Sequence, residues 1–197
     1  MPADVLELAL VRHGESTGNL GGRVLGHQMS PQLTIRGRAQ ASAAAAALIG
    51  WGGQELWSSD MMRARQTAEA IASATGLPIR ATALLREQNH GRLDGMTASQ
   101  LVSEPIPEPT EVGADISEVR WGGGESVVDV YRRLREFCGL LSARPPRRII
   151  VVSHGDALCA LMALVVGRGH RDVDWEARLR HGEVRWVRWR PGNVLPF

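Results

Sequence analysis

Two apolar runs set the frame for this chain. Residues 6–11 and 149–152 each lead, within two residues, to a histidine followed by glycine, His13-Gly14 and His154-Gly155. Apolar runs this short, bounded by turn residues, read as buried strands. Between them the period changes to that of helices. Thr34 can cap a helix over 34–48 whose alanine run, 43–47, has the highest helix propensity, and Gly50, Gly52 and Gly53 end it. Residues 55–58 suit a short strand, and Asp60 is placed to cap a helix running through Ala64, Ala68, Ile71 and Ala72 to a Gly76-Leu77-Pro78 stop. A short strand at 79–81 and an irregular stretch at 85–97 follow. Val130, Leu134, Phe137 and Leu141 share one face of a helix over 127–141, and a further helix is expected over 157–166. Residues 184–189 read as an edge strand. Strands alternating with helices predict an α/β fold with a largely parallel sheet, in one domain spanning 1–197. Residues 103–124, with Pro105, Pro107 and Pro109, are expected to form a long excursion, a lid or mobile loop.

Every basic side chain besides histidine is arginine, because the sequence contains no lysine. Schiff-base and pyridoxal-phosphate chemistry are therefore excluded, as is a nucleotide site built on a P-loop lysine. Arginine instead favours forked recognition of phosphate or carboxylate. A net charge of +2 argues against nucleic acid as partner. On that ground Arg185, Trp186, Arg188, Trp189 and Arg190 read as a charge-guarded edge strand rather than a stacking stripe. Cys138 and Cys159 lack CxxC spacing and lie in apolar helical patterns, so buried free thiols and a cytoplasmic location are expected. No apolar stretch approaches the ~20 residues of a membrane span, and the first residues read as a strand rather than a leader.

In open α/β sheets, ligands bind beyond the carboxyl ends of the strands, where His13 and His154 fall. Glycine after each lets the backbone turn sharply and approach a ligand. A lone histidine is more often structural than catalytic. Two at matching strand–glycine boundaries, one preceded by Arg12, point to a site. No His, Asp or Glu spacing demands a metal or cofactor.

The run Leu10-Val11-Arg12-His13-Gly14-Glu15-Ser16 resembles the signature of the histidine phosphatase superfamily, the phosphoglycerate-mutase-like fold. Further segments agree in order: Leu33-Thr34 with Gly37 and Gln40-Ala41; Ser58-Ser59-Asp60 with Arg63-Ala64 and Gln66-Thr67-Ala68; Leu85-Arg86-Glu87 with Gly91 and Asp94-Gly95; Gly123 to Ser126; and Val151 to Gly155. The resemblance implies a three-layer α/β/α sandwich acting on a small phosphorylated metabolite. It implies His13 as the nucleophile that becomes a phosphohistidine. Arg12 and Arg63 would grip the phosphoryl oxygens, and a protonated His154 would add a third positive partner. Glu87 would protonate the leaving oxygen, for which it must carry a proton near neutrality. Ser16 and Asn19 match further phosphate contacts of the family.

The resemblance covers mutases as well as phosphatases. Mutases tend to carry an extra basic segment, whereas residues 105–118 here are acidic and broken by prolines, and Gly91-Arg92-Leu93-Asp94-Gly95 is nearer the phosphatase pattern. A phosphatase is therefore expected, with a mutase-type phosphotransferase or an inactive phosphate-binding module as alternatives. Leu93, Leu25 and Asp156 depart from the family pattern and bear on substrate choice. Glu15 and Glu125 read as capping or pairing groups, and His27, His170 and His181 as surface or satisfied histidines. His90 reads as a pocket-lining residue. Trp51, Trp57 and Trp175, where exposed, are candidate anchors of a homodimer.

Overall fold

The computed structural model describes residues 5–103, 115–142 and 148–191. In chain order the elements are β1 (Leu6–Arg12), α1 (Ile35–Leu48), β2 (Glu55–Ser59), α2 (Met62–Thr75), β3 (Ile79–Thr82), α3 (Ala98–Ser103), α4 (Val127–Ser142), β4 (Arg148–Ser153), α5 (Gly155–Val165) and β5 (Val184–Trp189). The strands form one sheet in the order β3-β2-β4-β1-β5. All neighbours are parallel except β5, which closes one edge antiparallel to β1.

Side-chain alternation along the buried strands builds the two outer layers. Leu8 and Leu10 of β1 and Ile149 and Val151 of β4 face α4 and α5, meeting Leu134, Phe137, Leu158 and Leu161. Ala9, Val11, Ile150 and Val152 face the other way, onto Ala44, Leu48, Ala64 and Ile71 of α1 and α2. Both faces are covered, so the strands read as continuous apolar runs. The three-layer α/β/α sandwich is thus present.

Local rules account for most element ends. Thr34 Oγ1 accepts from Gly37 N at 2.9 Å and caps α1 as expected, and Gly76 ends α2 at φ +72°. Asp60 does not cap α2. The N-cap is Met61, with no side-chain bond, and Asp60 instead receives Nε of Arg86 at 2.8 Å in a forked ion pair. Charge-assisted pairing across the fold outcompetes the local cap. Trp57 is buried edge-on against Phe137, 5.6 Å between centroids, which removes it from the candidate interface anchors; Trp175 is 40% exposed. Cys138 and Cys159 are free and buried.

Half of the excursion expected over 103–124, residues 104–114, lies outside the described residues. Residues 116–118 and 121–123 form short 3-10 turns, the second lying against the 91–93 turn. Among the described residues, no helix is long and apolar enough to cross a membrane.

Candidate active site

β1 and β4 are parallel neighbours with Arg12 opposite Ser153, so the chain leaves both strands side by side. His13 and His154 emerge together at this edge, ring centroids 5.0 Å apart. The turn after β1 is pressed against the start of α1: a Cβ on Gly14 would overlap the Gly37 carbonyl, and one on Gly37 would overlap that of Glu15. Glycine at both positions is what allows the approach. Gly14 N donates to Thr67 Oγ1 at 3.1 Å, tying the turn to α2.

His13 is buried, and its Nδ1–H donates to the Gly14 carbonyl at 2.7 Å. A carbonyl only accepts, so this bond fixes the proton on Nδ1 and leaves the Nε2 lone pair free. Burial, reinforced by the Arg63 charge, holds the ring well below the ordinary imidazole range. The ring is neutral, and its Nε2 lone pair is able to act as a nucleophile.

Two guanidinium groups flank it. Arg63 is fully buried, its Nη atoms donating to Gln28 O at 2.6 Å and Gly26 O at 3.0 Å. Arg12 donates to Leu179 O at 2.8 Å. Burial lowers both, Arg63 to about 10, so both remain cationic at neutral pH. Their Nε atoms have no partner, and neither do both ring nitrogens of His154 nor Nε2 of His181. These are five of the seven unpartnered buried side-chain polar atoms among the described residues. Natural proteins rarely leave such groups unmade, and a cluster of them beside two cations is the complement of an anion.

His154 differs from expectation in charge. Burial, then Arg63, pushes it well below the ordinary range, so beside these cations it is neutral rather than a third positive partner. A phosphoryl anion reverses the sign of that field and favours its protonation.

Glu87 reaches the site from the loop after β3. Its Oε1 accepts from Gln88 N at 3.1 Å and Ala157 N at 3.0 Å, and its Oε2 from Asp156 N at 3.3 Å, so the carboxylate sits on the N-terminus of α5. Arg133 holds the loop through Leu84 O and Glu87 O while pairing with Glu125, and His27 Nε2 donates to Glu87 O at 2.8 Å. Glu125 is thus a pairing group and His27 a satisfied histidine, as expected. Glu15 accepts from Thr34 Oγ1, also as expected.

The cavity above His13, about 280 Å³, is lined by Arg12, His13, Asn19, Arg63, Glu87 and His90 from the expected set. Ser16 does not line it. Its N and Oγ donate to Asn19 Oδ1 at 2.9 and 2.7 Å, which orients the Asn19 amide. Sequence reasoning missed Arg23 and Arg178, which also line the cavity, and did not place Asp156 there as Arg178's ion-pair partner. Burial and the nearby Glu87 push Asp156 up to about 7.

His181 is the main correction. It is no surface group: its ring lies 5.4 Å from that of His13, and burial with Arg12 lowers it to about 4. A signal for it exists in the sequence. Four histidines are followed by glycine: His13 and His90 line the cavity, and the rings of His154 and His181 lie beside that of His13. Among the described residues, no group of three or more His, Cys, Asp or Glu could hold a metal ion.

The pattern described as the histidine phosphatase superfamily (branch 1) matches residues 8–194. A glucosyl-3-phosphoglycerate phosphatase of Mycobacterium tuberculosis is 32% identical over 201 residues, covering 94% of this chain and 87% of its own. A probable phosphoglycerate mutase of Escherichia fergusonii is 34% identical over 164 residues, covering 83% and 76%. A solved native mycobacterial glucosyl-3-phosphoglycerate phosphatase superposes with a TM-score of 0.77 at 29% identity, covering 93% of this chain and 89% of that one. The alpha-ribazole phosphatase from Shigella flexneri, TM-score 0.80 at 24% identity over 98% and 99% of the two chains, shares the fold.

Proposed function

The chain belongs to the histidine phosphatase superfamily, and on that premise we propose that it hydrolyses a phosphomonoester of a small metabolite through a phosphohistidine on Nε2 of His13. The observation that carries this reading is the cluster of unpartnered buried donors around a neutral nucleophile whose proton is locked on Nδ1.

In the first step Nε2 attacks phosphorus, the P–N bond forms and the ester P–O bond breaks. Glu87 gives its proton to the departing oxygen. Arg12 and Arg63 hold the equatorial oxygens, where charge gathers, with groups already fixed by carbonyls and so needing no reorganisation. His154 takes on charge as the anion arrives. In the second step Glu87 accepts a proton from water, whose oxygen attacks phosphorus. The P–N bond breaks and inorganic phosphate leaves with His13 neutral again. Asn19, oriented by Ser16, contributes a further contact to the phosphoryl group.

The names of the relatives make phosphoglycerate-type esters the first substrates to try. Two free buried cysteines support a reducing compartment, the cytoplasm, as the place where the protein acts. The relative named as a phosphoglycerate mutase supports a second reading, transfer to an acceptor. One assay separates them. Labelled phosphoglycerate should release inorganic phosphate to water, trap an acid-labile phosphoenzyme, and lose both signals in His13→Ala. Label moving to added phosphoglycerate instead would establish the mutase, and a His13→Ala variant retaining more than about a thousandth of wild-type activity would remove His13 from the chemistry.

A further inference from the structure

We infer that His181 is a third catalytic imidazole, whose Nε2–H donates to an oxygen of the phosphoryl group as that group moves onto and off His13. The inference rests on the reaction proposed above and adds a residue to it.

Three observations carry it. His181 stands almost as close to the nucleophile as His154 does, 5.4 against 5.0 Å between ring centroids, so His13 has two imidazoles beside it. Nε2 of His181 is buried and has no partner, the same condition as the nitrogens of His154 and the Nε atoms of Arg12 and Arg63. A buried N–H without an acceptor is costly, and here a phosphoryl oxygen is the acceptor that would satisfy it.

The third observation is rigidity. The turn carrying His181 is bound to the residue before the nucleophile: Gly182 N donates to Arg12 O at 3.0 Å, Arg12 N to Glu183 O at 3.3 Å, and Arg12 Nη1 to Leu179 O at 2.8 Å. Glu183 N donates to Arg180 O at 3.0 Å and closes the turn. Gly182 has φ +74°, and a Cβ there would press on Gln40. β5 then pairs Val184 with Val11. The strand pair that positions His13 therefore positions His181 as well, which is the preorganisation that transition-state stabilisation needs.

The charged groups that bear on His181 are Arg12, Arg36 and Glu15, and burial together with Arg12 keeps the ring neutral at neutral pH. A neutral donor suits this place. It offers a hydrogen bond to the transferring group without adding a further buried charge to those of Arg12, Arg63 and a His154 protonated as the anion arrives. No bond to His181 forms or breaks and it transfers no proton. Its contact strengthens as charge gathers on the phosphoryl oxygens.

The test uses the full chain with three substitutions. His181→Leu keeps bulk and removes the donor, His181→Gln returns an N–H near the place of Nε2, and His181→Asn returns one near Nδ1. The readouts are kcat and KM with nitrophenyl phosphate, decay of the trapped phosphoenzyme, the Kd for inorganic phosphate, and Tm. Loss of a single oxyanion donor lowers kcat by about 10²–10³. His181→Leu should therefore lose at least tenfold in kcat and bind phosphate at least tenfold more weakly, with Gln within about threefold of wild type and Asn nearer Leu. Leu within twofold of wild type, or Gln and Leu equally impaired at unchanged Tm, would overturn the role. Should the Leu variant not fold, Gln against Asn decides it, and equal values refute it. Phosphate affinity needs no turnover, so it reads His181 even if the proposed reaction fails, whereas wild-type hydrolysis alone reads that reaction.

Discussion

Glu87→Gln tests two physical jobs of one side chain. Glu87 caps the start of α5, accepting from the N–H groups of Asp156 and Ala157 as well as Gln88. An amide replaces one carboxylate oxygen with a donor, which then faces a backbone donor. Losing one hydrogen bond and leaving a backbone donor unmade costs about 1–3 kcal/mol. The variant should thus be less stable by about 1–3 kcal/mol, which in a chain of 197 residues lowers Tm by roughly 2–12 °C. The second job is chemical. A departing alkoxide needs a proton in the transition state and a nitrophenolate does not, so the loss should follow the leaving group. Expected is about 10²–10⁴ in kcat/KM for phosphoglycerate or sugar phosphates, and under tenfold for nitrophenyl phosphate. Thermal melting and the two kcat/KM values, taken on the same preparation, measure both jobs. Equal losses across leaving groups would show that Glu87 only positions the phosphate, and an unchanged Tm would show that its contact with α5 contributes no stability.

Activity should survive chelating agents, since Arg12 and Arg63, joined by His154 once an anion binds, supply the charge that a divalent ion supplies elsewhere; loss in chelator restored by a metal refutes this. Stability should fall as pH drops below about 6.5. His13, His154 and His181 are all held below their ordinary value of 6.5, so the unfolded chain binds more protons there. Asp156, raised from 3.8 to about 7, acts oppositely, binding a proton in the folded state that the unfolded chain releases between those values. Asp156→Asn should therefore steepen the acid-side fall in Tm, and His181→Gln should flatten it; superimposable curves would contradict the assignment.

The sheet was legible because its buried strands are continuous apolar runs, and α1 and α2 because Thr34 caps the one and Gly76 stops the other where expected. Glycine after His13 and His154 marked the strand ends. Asp60 misled because residue type alone cannot show that Arg86 lies across the fold to claim it. His181 was missed because it precedes an antiparallel edge strand, where a rule about carboxyl ends of parallel strands does not look. Ser16 lies in the signature, yet it works by orienting Asn19 and stays out of the cavity. The charge of His154 depends on burial and on Arg63, two facts of packing that no spacing encodes. The residues were readable, and their fields were not.

The order of the sheet also governs how the chain is born. β1 pairs only with β4 and β5, both made after residue 147, and β2 has β4 as its inner neighbour. At 5–20 residues per second, the ribosome takes roughly 7–27 s to travel from β1 to β4. Throughout that interval β1, an apolar strand, has unpaired backbone N–H and C=O groups along both edges, the condition that invites pairing with other chains. A fragment ending before β4 lacks His154 and His181, and its His13 is without the two rings that stand beside it in the finished chain. The central strand arrives late, so the newborn chain depends on whatever shields that edge, and it stays silent until roughly its last quarter is translated.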